Sequence, residues 1–314
     1  MSVRELTDGQ PIERVLLVRQ REVRRRSDGS RLLKLLLADR SGTVAAIAAE
    51  TIPEAEPGAC VHVSGRHEVH PRHGAQIVVD ALRLAEPHEY NLGDLLDGPP
   101  RSVEHMEEAL RDLVAQVQNP HLHLLLERVL GADAPTWPAF RDAPAAKRYH
   151  QAYRHGLLEH SLGVGEAVAV ISTTFPGIDR DVAITGALLH DVGKLDAYTS
   201  DPLAIDFTDL GRLHGEIPLG YFRIRRLIEG IPGFPEPLAT AVLHIILSHH
   251  GQLEHGSPVV PCTREATLVH MIDNLGGRLG SFDRLEKAQP QGSPWSGYDR
   301  ALGGSAYFAE RRAA

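Results

Sequence analysis

His190 and Asp191, in the run Ala187-Leu-Leu-His-Asp-Val-Gly-Lys194, are the residues whose types and spacing speak most directly of chemistry. An imidazole beside a carboxylate is a compact metal-binding unit. Here it closes an apolar stretch where packing alone calls for neither group. His160, His249, His250 and Asp273 recur in similar apolar settings. Buried ionisable groups cost on the order of several kcal/mol unless they are paired or bind a metal. Imidazole nitrogens and carboxylate oxygens suit a divalent transition metal, and a catalytic site keeps one position open for water. The chemistry this predicts is metal-assisted hydrolysis of a phosphate ester.

The elements that must position these groups are helical. Apolar spacing of three and four recurs around 121–130, 156–173, 179–190, 216–229, 236–248 and 264–275. Ser102 can cap a further helix that begins Val103-Glu-His-Met-Glu-Glu, with its acidic residues near the helix start. The first ninety residues read instead as five short strands, 14–20, 32–38, 43–49, 60–66 and 76–82, separated by turn signals such as Asp39-Arg-Ser-Gly42 and Glu56-Pro-Gly58. Five such strands suit a small barrel of the OB type. The expected fold class is therefore α+β and multidomain: an N-terminal β-barrel (OB-fold) over 1–88, a linker over 89–101, an all-α domain over 102–288 and an extended C-terminal arm over 289–314. No internal repeat is present.

Composition sets the outer limits. A chain of 314 residues suggests two domains. A hydrophobic fraction of 42% and a charged fraction of 24% are ordinary for a globular protein. The formal net charge of −8 excludes a general polycation, so any nucleic-acid affinity must be local. The 18 histidines are the outlier. With Cys60 and Cys262 alone, a disulfide scaffold or a cysteine-based zinc site is not expected, and a reducing cytoplasm fits. The start has no signal-peptide character, and no apolar run approaches the ~20 residues of a membrane span. A cytoplasmic protein without membrane contact is expected.

The ordered set H…HD…HH…D resembles the HD-domain metal-dependent phosphohydrolase superfamily. Ala146-Lys-Arg-Tyr-His-Gln-Ala-Tyr-Arg-His-Gly-Leu-Leu-Glu-His160-Ser, Ala187-Leu-Leu-His-Asp-Val-Gly-Lys194, Leu247-Ser-His-His-Gly251 and Gly256-Ser-Pro258 are similar to the YhaM-type 3′→5′ exoribonucleases, which join an OB-fold to an HD domain in this order. The resemblance runs from about residue 12 to the end. It implies that His160, His190, Asp191 and Asp273 hold one metal. Asp191 would bridge to a second, completed by His249 and His250. Two cations about 3.5–4 Å apart can activate water and stabilise both the attacking and the leaving oxygen. The implied cofactor is a divalent metal, two ions, Mn²⁺ first and Mg²⁺, Co²⁺, Fe²⁺ or Ni²⁺ as alternatives. Asp191 and Lys194 would carry catalysis, Lys194 by neutralising a phosphate oxygen as charge develops.

The chain also departs from the family pattern. Where the family has a histidine between the HD pair and the double histidine, this chain has Glu216, with His214 two residues earlier. Residues two apart on a helix do not share a face, so one of the two is expected to be a ligand. Glutamate would move the preference towards harder ions. His155 stands where the family often has glycine and reads as substrate-facing. His150 and His270 match family positions. His270 lies three residues before Asp273, on the same helical face, as a phosphate or supporting contact.

Arg19, Arg21, Arg24, Arg25, Arg26, Arg31 and Lys34 crowd the first hairpin of the barrel, and Arg19, Arg21, Arg24, Arg26 and Lys34 are candidate strand contacts. Residues 1–89 contain no Phe, Trp or Tyr, so base stacking on the barrel is not expected. The leading expectation is a phosphodiesterase that removes nucleotides from the 3′ end of single-stranded RNA, with DNA as a further substrate. The first alternative is a hydrolase of small or cyclic nucleotides, with the barrel used for assembly into a homo-oligomer. The second is a nucleic-acid-binding protein whose metal site has decayed.

Overall fold

The structure is a computed structural model that describes residues 2–25, 31–49, 55–70, 74–147, 151–201, 203–288 and 294–308. The chain divides into two compact units. One comprises Met1–Asp97, Asp201–Ala204 and Phe282–Ala314; the other comprises Gly98–Ser200 and Ile205–Ser281.

In the first unit, β1 (Pro11–Arg25), β2 (Arg31–Asp39), β3 (Gly42–Ala49), β4 (Cys60–His70) and β5 (Gly74–Leu84) form a closed barrel of order β1-β2-β3-β5-β4. All pairings are antiparallel except β3 with β5. Closure follows from β1, which pairs β2 along its C-terminal half and β4 along its N-terminal half, with a bulge between Val18 and Gln20 where it turns from one partner to the other. This is the strand order of an OB barrel. Alternate residues point inward, as a period of two requires: Leu33, Leu35 and Leu37 of β2 and Val61 and Val63 of β4 are buried in its core with Leu16 and Ile77. Asp39 holds the chain's start against the barrel, accepting from the Val3 amide at 2.7 Å and pairing with Arg14 at 3.1 Å.

Helices follow. α1 is Leu92–Leu95, α2 Val103–Ala115, α3 Pro120–Leu130, α4 Trp137–Asp142, α5 Gly156–Ile171, α6 Arg180–Leu189, α7 Lys194–Ala197, α8 Asp209–His214, α9 Glu216–Glu229, α10 Glu236–Ser248 and α11 Arg264–Ala288. Ser102 caps α2 by accepting from the His105 amide, as the sequence suggests. The second unit's core is one continuous cluster that includes Leu110, Leu126, Phe140, Leu158, Leu188, Leu189, Ile245 and Ile246. Residues 182–189 of α6 are all buried, which makes this helix the central post of the unit.

The tail corrects an expectation. The described part of 289–314 is not an extended arm. It is an antiparallel hairpin of β6 (Trp295–Asp299) and β7 (Gly304–Tyr307). Asp299 fastens its turn, accepting from the Ala301 and Leu302 amides and pairing with Arg284 at 2.5 Å. No described helix is long and apolar enough to cross a membrane.

Candidate metal centre

The ends of two buried helices create the site. α6 stops at Leu189 and α10 at Ser248, and each leaves backbone carbonyls without intrahelical partners. His190 Nδ1 lies 2.7 Å from the Ala187 carbonyl, and His249 Nδ1 lies 2.8 Å from that of Ile246. A carbonyl only accepts, so Nδ1 carries the proton in both rings. Each histidine therefore caps its own helix three residues back, and its Nε2 lone pair is directed inward. His250 Nδ1 is oriented by a carbonyl from the other side, that of His255 five residues on, at 2.9 Å. Two helix C-termini also bring partial negative charge to the site, which favours a cation.

Around this framework the donors converge in two groups, His160, His190 and Asp273 in one and Glu216, His249 and His250 in the other. In the first, His160 Nε2 lies 3.1 Å from His190 Nε2, 3.1 Å from Asp273 Oδ1 and 3.2 Å from Asp191 Oδ2. His190 Nε2 is 3.3 Å from Asp191 Oδ2 and 3.8 Å from Asp273 Oδ1. In the second, His250 Nε2 is 3.3 Å from Glu216 Oε1. Asp191 faces both: Oδ2 looks towards the first group, and Oδ1 is 3.5 Å from His249 Nε2.

These residues fit divalent ions on two grounds. Asp191 Oδ1 and His249 Nε2 are buried without a hydrogen-bond partner, which native interiors avoid unless something else satisfies the atoms. The donor spacing also matches: ligands about 2.0–2.2 Å from a shared centre lie roughly 3–3.6 Å from one another. The metal-free electrostatics show the same demand for positive charge. Burial alone would lower the His160 pKa, but its hydrogen bonds to Asp191 and Asp273 raise it to about 9. Burial would raise Asp191, yet Lys194 and then His190 hold it well below the usual carboxylate range. Asp273 is likewise held low against burial by His160 and His190. Burial pushes His249 down, so it favours the neutral form that a metal needs.

Two glycines are steric conditions of this geometry. A Cβ on Gly193 would sit 2.0 Å from the Glu216 carbonyl oxygen and 2.5 Å from the Gly220 amide nitrogen, so only glycine lets α9 start against the HD turn. That start places Glu216 in the second group. Gly251 has φ +79°, and a Cβ there would lie 2.1 Å from the His270 ring. His270 uses the space to donate Nδ1–H to the His249 carbonyl at 2.7 Å, tying α11 to the end of α10.

The structure brings His160, His190, Asp191, Glu216, His249, His250 and Asp273 together. His214 is exposed at the end of α8 and joins neither group. Lys194 is held at 2.6 Å from Asp191 Oδ2, and its pKa is raised by Asp191 and Glu216 against burial. His155 has φ +69° and is anchored to the Arg141 carbonyl at 2.8 Å. His150 and Arg26 lie outside the described residues. On the barrel, part of the expected basic patch is neutralised: Arg21 pairs with Glu56 at 3.2 Å, Arg24 pairs with Glu22 at 2.8 Å, and burial lowers the Arg19 pKa while Asp97 opposes it. Lys34 stands opposite Glu22 across the β1–β2 ladder.

Tyr198 was not foreseen. Its hydroxyl is pushed up to about 12 by burial and by Glu216, with Lys194 opposing, so it stays protonated as a donor beside the second group. The signal was present in the sequence: Tyr198 follows Lys194 by four, one turn on.

The HD domain family model matches residues 157–277. The chain is 31% identical over 289 residues to the 3′-5′ exoribonuclease YhaM of Geobacillus sp. (strain WCH70), covering 90% of this chain and 87% of that protein. It is 29% identical over 289 residues to the 3′-5′ exoribonuclease YhaM of Bacillus subtilis (strain 168), covering 90% of each. Among solved structures, the second OB-fold domain of replication protein A from Methanococcus maripaludis is 21% identical and covers 27% of this chain and 94% of that one, with a TM-score of 0.24.

Proposed function

The chain belongs to the YhaM 3′-5′ exoribonuclease family, and we propose that it removes nucleotides from the 3′ end of single-stranded RNA with two Mn²⁺ ions. The observation that carries this reading is Asp191, a buried carboxylate with one oxygen turned to each donor group and its Oδ1 unsatisfied beside His249 Nε2. The first position would be held by His160, His190, Asp191 and Asp273, and the second by Asp191, Glu216, His249 and His250. Bound ions supply a lowered water pKa and positive charge for the phosphodiester.

The rest is work of the chain's own groups. Lys194 keeps its proton beside Asp191 and presents a fixed cation where a phosphate oxygen gains charge. His190 and His249 keep their orientation through their own helix carbonyls. His270 holds the end of α10 to the helix that carries Asp273. Glu216 adds a carboxylate oxygen where a neutral imidazole would add nitrogen, which favours Mn²⁺ over softer ions. The relatives' matches span the barrel as well as the helical unit, which favours a strand over a mononucleotide as substrate.

The test is a single-stranded RNA labelled at its 5′ end, incubated with the protein and Mn²⁺. The expected result is a descending ladder that retains the label, lost in Asp191→Ala. Release of the label as a mononucleotide in the first turnovers would reverse the direction. Turnover of mononucleotides without a ladder would replace the strand with a small-nucleotide substrate.

A further inference from the structure

The loop that joins α7 to α8 is closed at its neck by an isolated antiparallel bridge between Tyr198 and Phe207. The Thr199 amide donates to the Asp206 carbonyl at 2.8 Å, and the Thr208 amide donates to the Ala197 carbonyl at 2.9 Å. Gly211 lets α8 lie on α7, since a Cβ there would meet the Ala197 carbonyl oxygen at 2.2 Å. Tyr198 itself ends α7: its amide donates to the Lys194 carbonyl, and its own backbone is extended. Its ring lies against that of Phe207, with centroids 5.0 Å apart. The Lys147 ammonium stands 5.8 Å from the Phe207 centroid and pairs with Asp206 at 2.5 Å. Phe207 is thus engaged by two neighbours, and it fixes the direction of the tyrosine ring.

The hydroxyl at the end of that ring has no hydrogen-bond partner among the described residues. It stands within electrostatic reach of Glu216, Lys194 and Asp191. Neither carboxylate accepts a hydrogen bond from it, so a donor is left open beside the second group. We propose that Tyr198 is a catalytic residue whose hydroxyl donates a hydrogen bond to a non-bridging oxygen of the scissile phosphate. The proposal rests on the exoribonuclease reading above. The surroundings select the acceptor. The atoms of the second group are themselves acceptors or cation ligands: the oxygens of Asp191 and Glu216 and the Nε2 atoms of His249 and His250. Lys194 is already engaged at 2.6 Å by Asp191 Oδ2. A phosphodiester brings oxygens that only accept, and a neutral donor offsets the charge they gain without repelling a bound cation. In the step, a water oxygen bonds to phosphorus, and the bond from phosphorus to the 3′-oxygen breaks with its electron pair. The water loses its proton to solvent, the departing 3′-oxygen takes one from solvent, and the tyrosine keeps its own.

The experiment compares the full chain with Tyr198→Phe, which keeps the ring against Phe207 and removes only the hydroxyl. Two substrates are used with Mn²⁺: a single-stranded oligouridylate, and the 4-nitrophenyl ester of uridine 5′-monophosphate, whose leaving group needs no proton. Tyr198→Phe should lower kcat about 10²-fold on both, the scale of losing one donor to a charged oxygen in the transition state. KM should stay within about threefold, and calorimetric Mn²⁺ stoichiometry and melting temperature should match wild type. Phe207→Leu should lower kcat about tenfold beside Tyr198 and cause no further loss in the Tyr198→Phe chain; an equal loss in both chains removes Phe207 as a positioning residue. Wild-type turnover by Tyr198→Phe overturns the proposal. So does a slow RNA reaction with a wild-type rate on the ester, since the hydroxyl would then serve the departing 3′-oxygen. So does loss of a Mn²⁺ ion or of thermal stability, since the hydroxyl would then support the site. Ester cleavage without an RNA ladder in wild type counts against the exoribonuclease reading alone. A ladder that Tyr198→Phe leaves unchanged counts against the tyrosine alone, and a wild-type chain that cleaves neither substrate overturns both.

Discussion

Gly193→Ala is a one-atom change that should disable the second metal position without touching a ligand. The added Cβ meets the Glu216 carbonyl at 2.0 Å and the Gly220 amide nitrogen at 2.5 Å, where ordinary contact begins at 3.4 Å. Both obstacles are backbone, so no rotamer change relieves them, and the start of α9 must retreat by about 1.4 Å. Overpacking of this kind costs about 1–3 kcal/mol. For a unit of this size that lowers the melting temperature by about 2–12 °C. The same retreat carries Glu216 away from His250, from which it now stands at 3.3 Å. A displacement near 1 Å at a reacting centre costs on the order of 10²-fold in rate. The assay pairs thermal unfolding of the metal-free chain with Mn²⁺ titration calorimetry and RNA turnover. Gly276→Ala serves as the control, because a Cβ there meets nothing within 4 Å. The expected result is one tight Mn²⁺ site instead of two, about 10²-fold slower turnover and a lower melting temperature, with Gly276→Ala unchanged or slightly stabilised. A Gly193→Ala chain that melts and binds two Mn²⁺ like wild type would refute the steric argument.

Glu216→His should move the metal preference from Mn²⁺ towards Co²⁺ and Ni²⁺, because imidazole replaces a carboxylate oxygen; competition calorimetry reads the order, and an unchanged order removes Glu216 from the ligand set. Since the His160 pKa stands at about 9 without metal, the protonated ring competes with the ion. Apparent affinity for the first ion should therefore rise about tenfold per pH unit from 7 towards 9, with a proton released on binding; calorimetry in two buffers of different ionisation enthalpy measures it, and a flat profile contradicts the assignment. Lys194→Met keeps the side-chain stem and removes the charge that holds Asp191 Oδ2. Turnover should fall about 10²–10³-fold while metal affinity holds or rises, because the ammonium no longer opposes the ion; weaker metal binding would make Lys194 a support for the site and not a catalytic group.

Much of the site is legible in the sequence because its donors are out of place there. His190, Asp191 and His249 are polar residues that end apolar helical runs, and that mismatch signals a site before any fold is known. The spacing that caps each helix, Ala187 to His190 and Ile246 to His249, is also readable, though its consequence for the ring tautomer needs the backbone. Five strands and seven long helices follow from periods of two and 3.6. The short α1, α4, α7 and α8 do not, since four to six residues carry too little periodicity. The choice between Glu216 and His214 is a question of distance. Spacing leaves it open, and it turns on the close approach at Gly193. Trp295–Asp299 reads as an arm because a bulge interrupts its alternation. On the basic hairpin, the ion pair of Arg21 with Glu56 joins residues far apart along the chain, so local charge counting does not register it.

The central claim is a paired metal site bridged by Asp191. Titrating the metal-free protein with Mn²⁺ while recording low-temperature electron paramagnetic resonance and RNA turnover on the same samples tests it directly. The account predicts little turnover at one equivalent, then full turnover at two, together with the signature of two exchange-coupled ions, and neither in Asp191→Ala. Full turnover at one equivalent, with only the spectrum of an isolated ion, would contradict it.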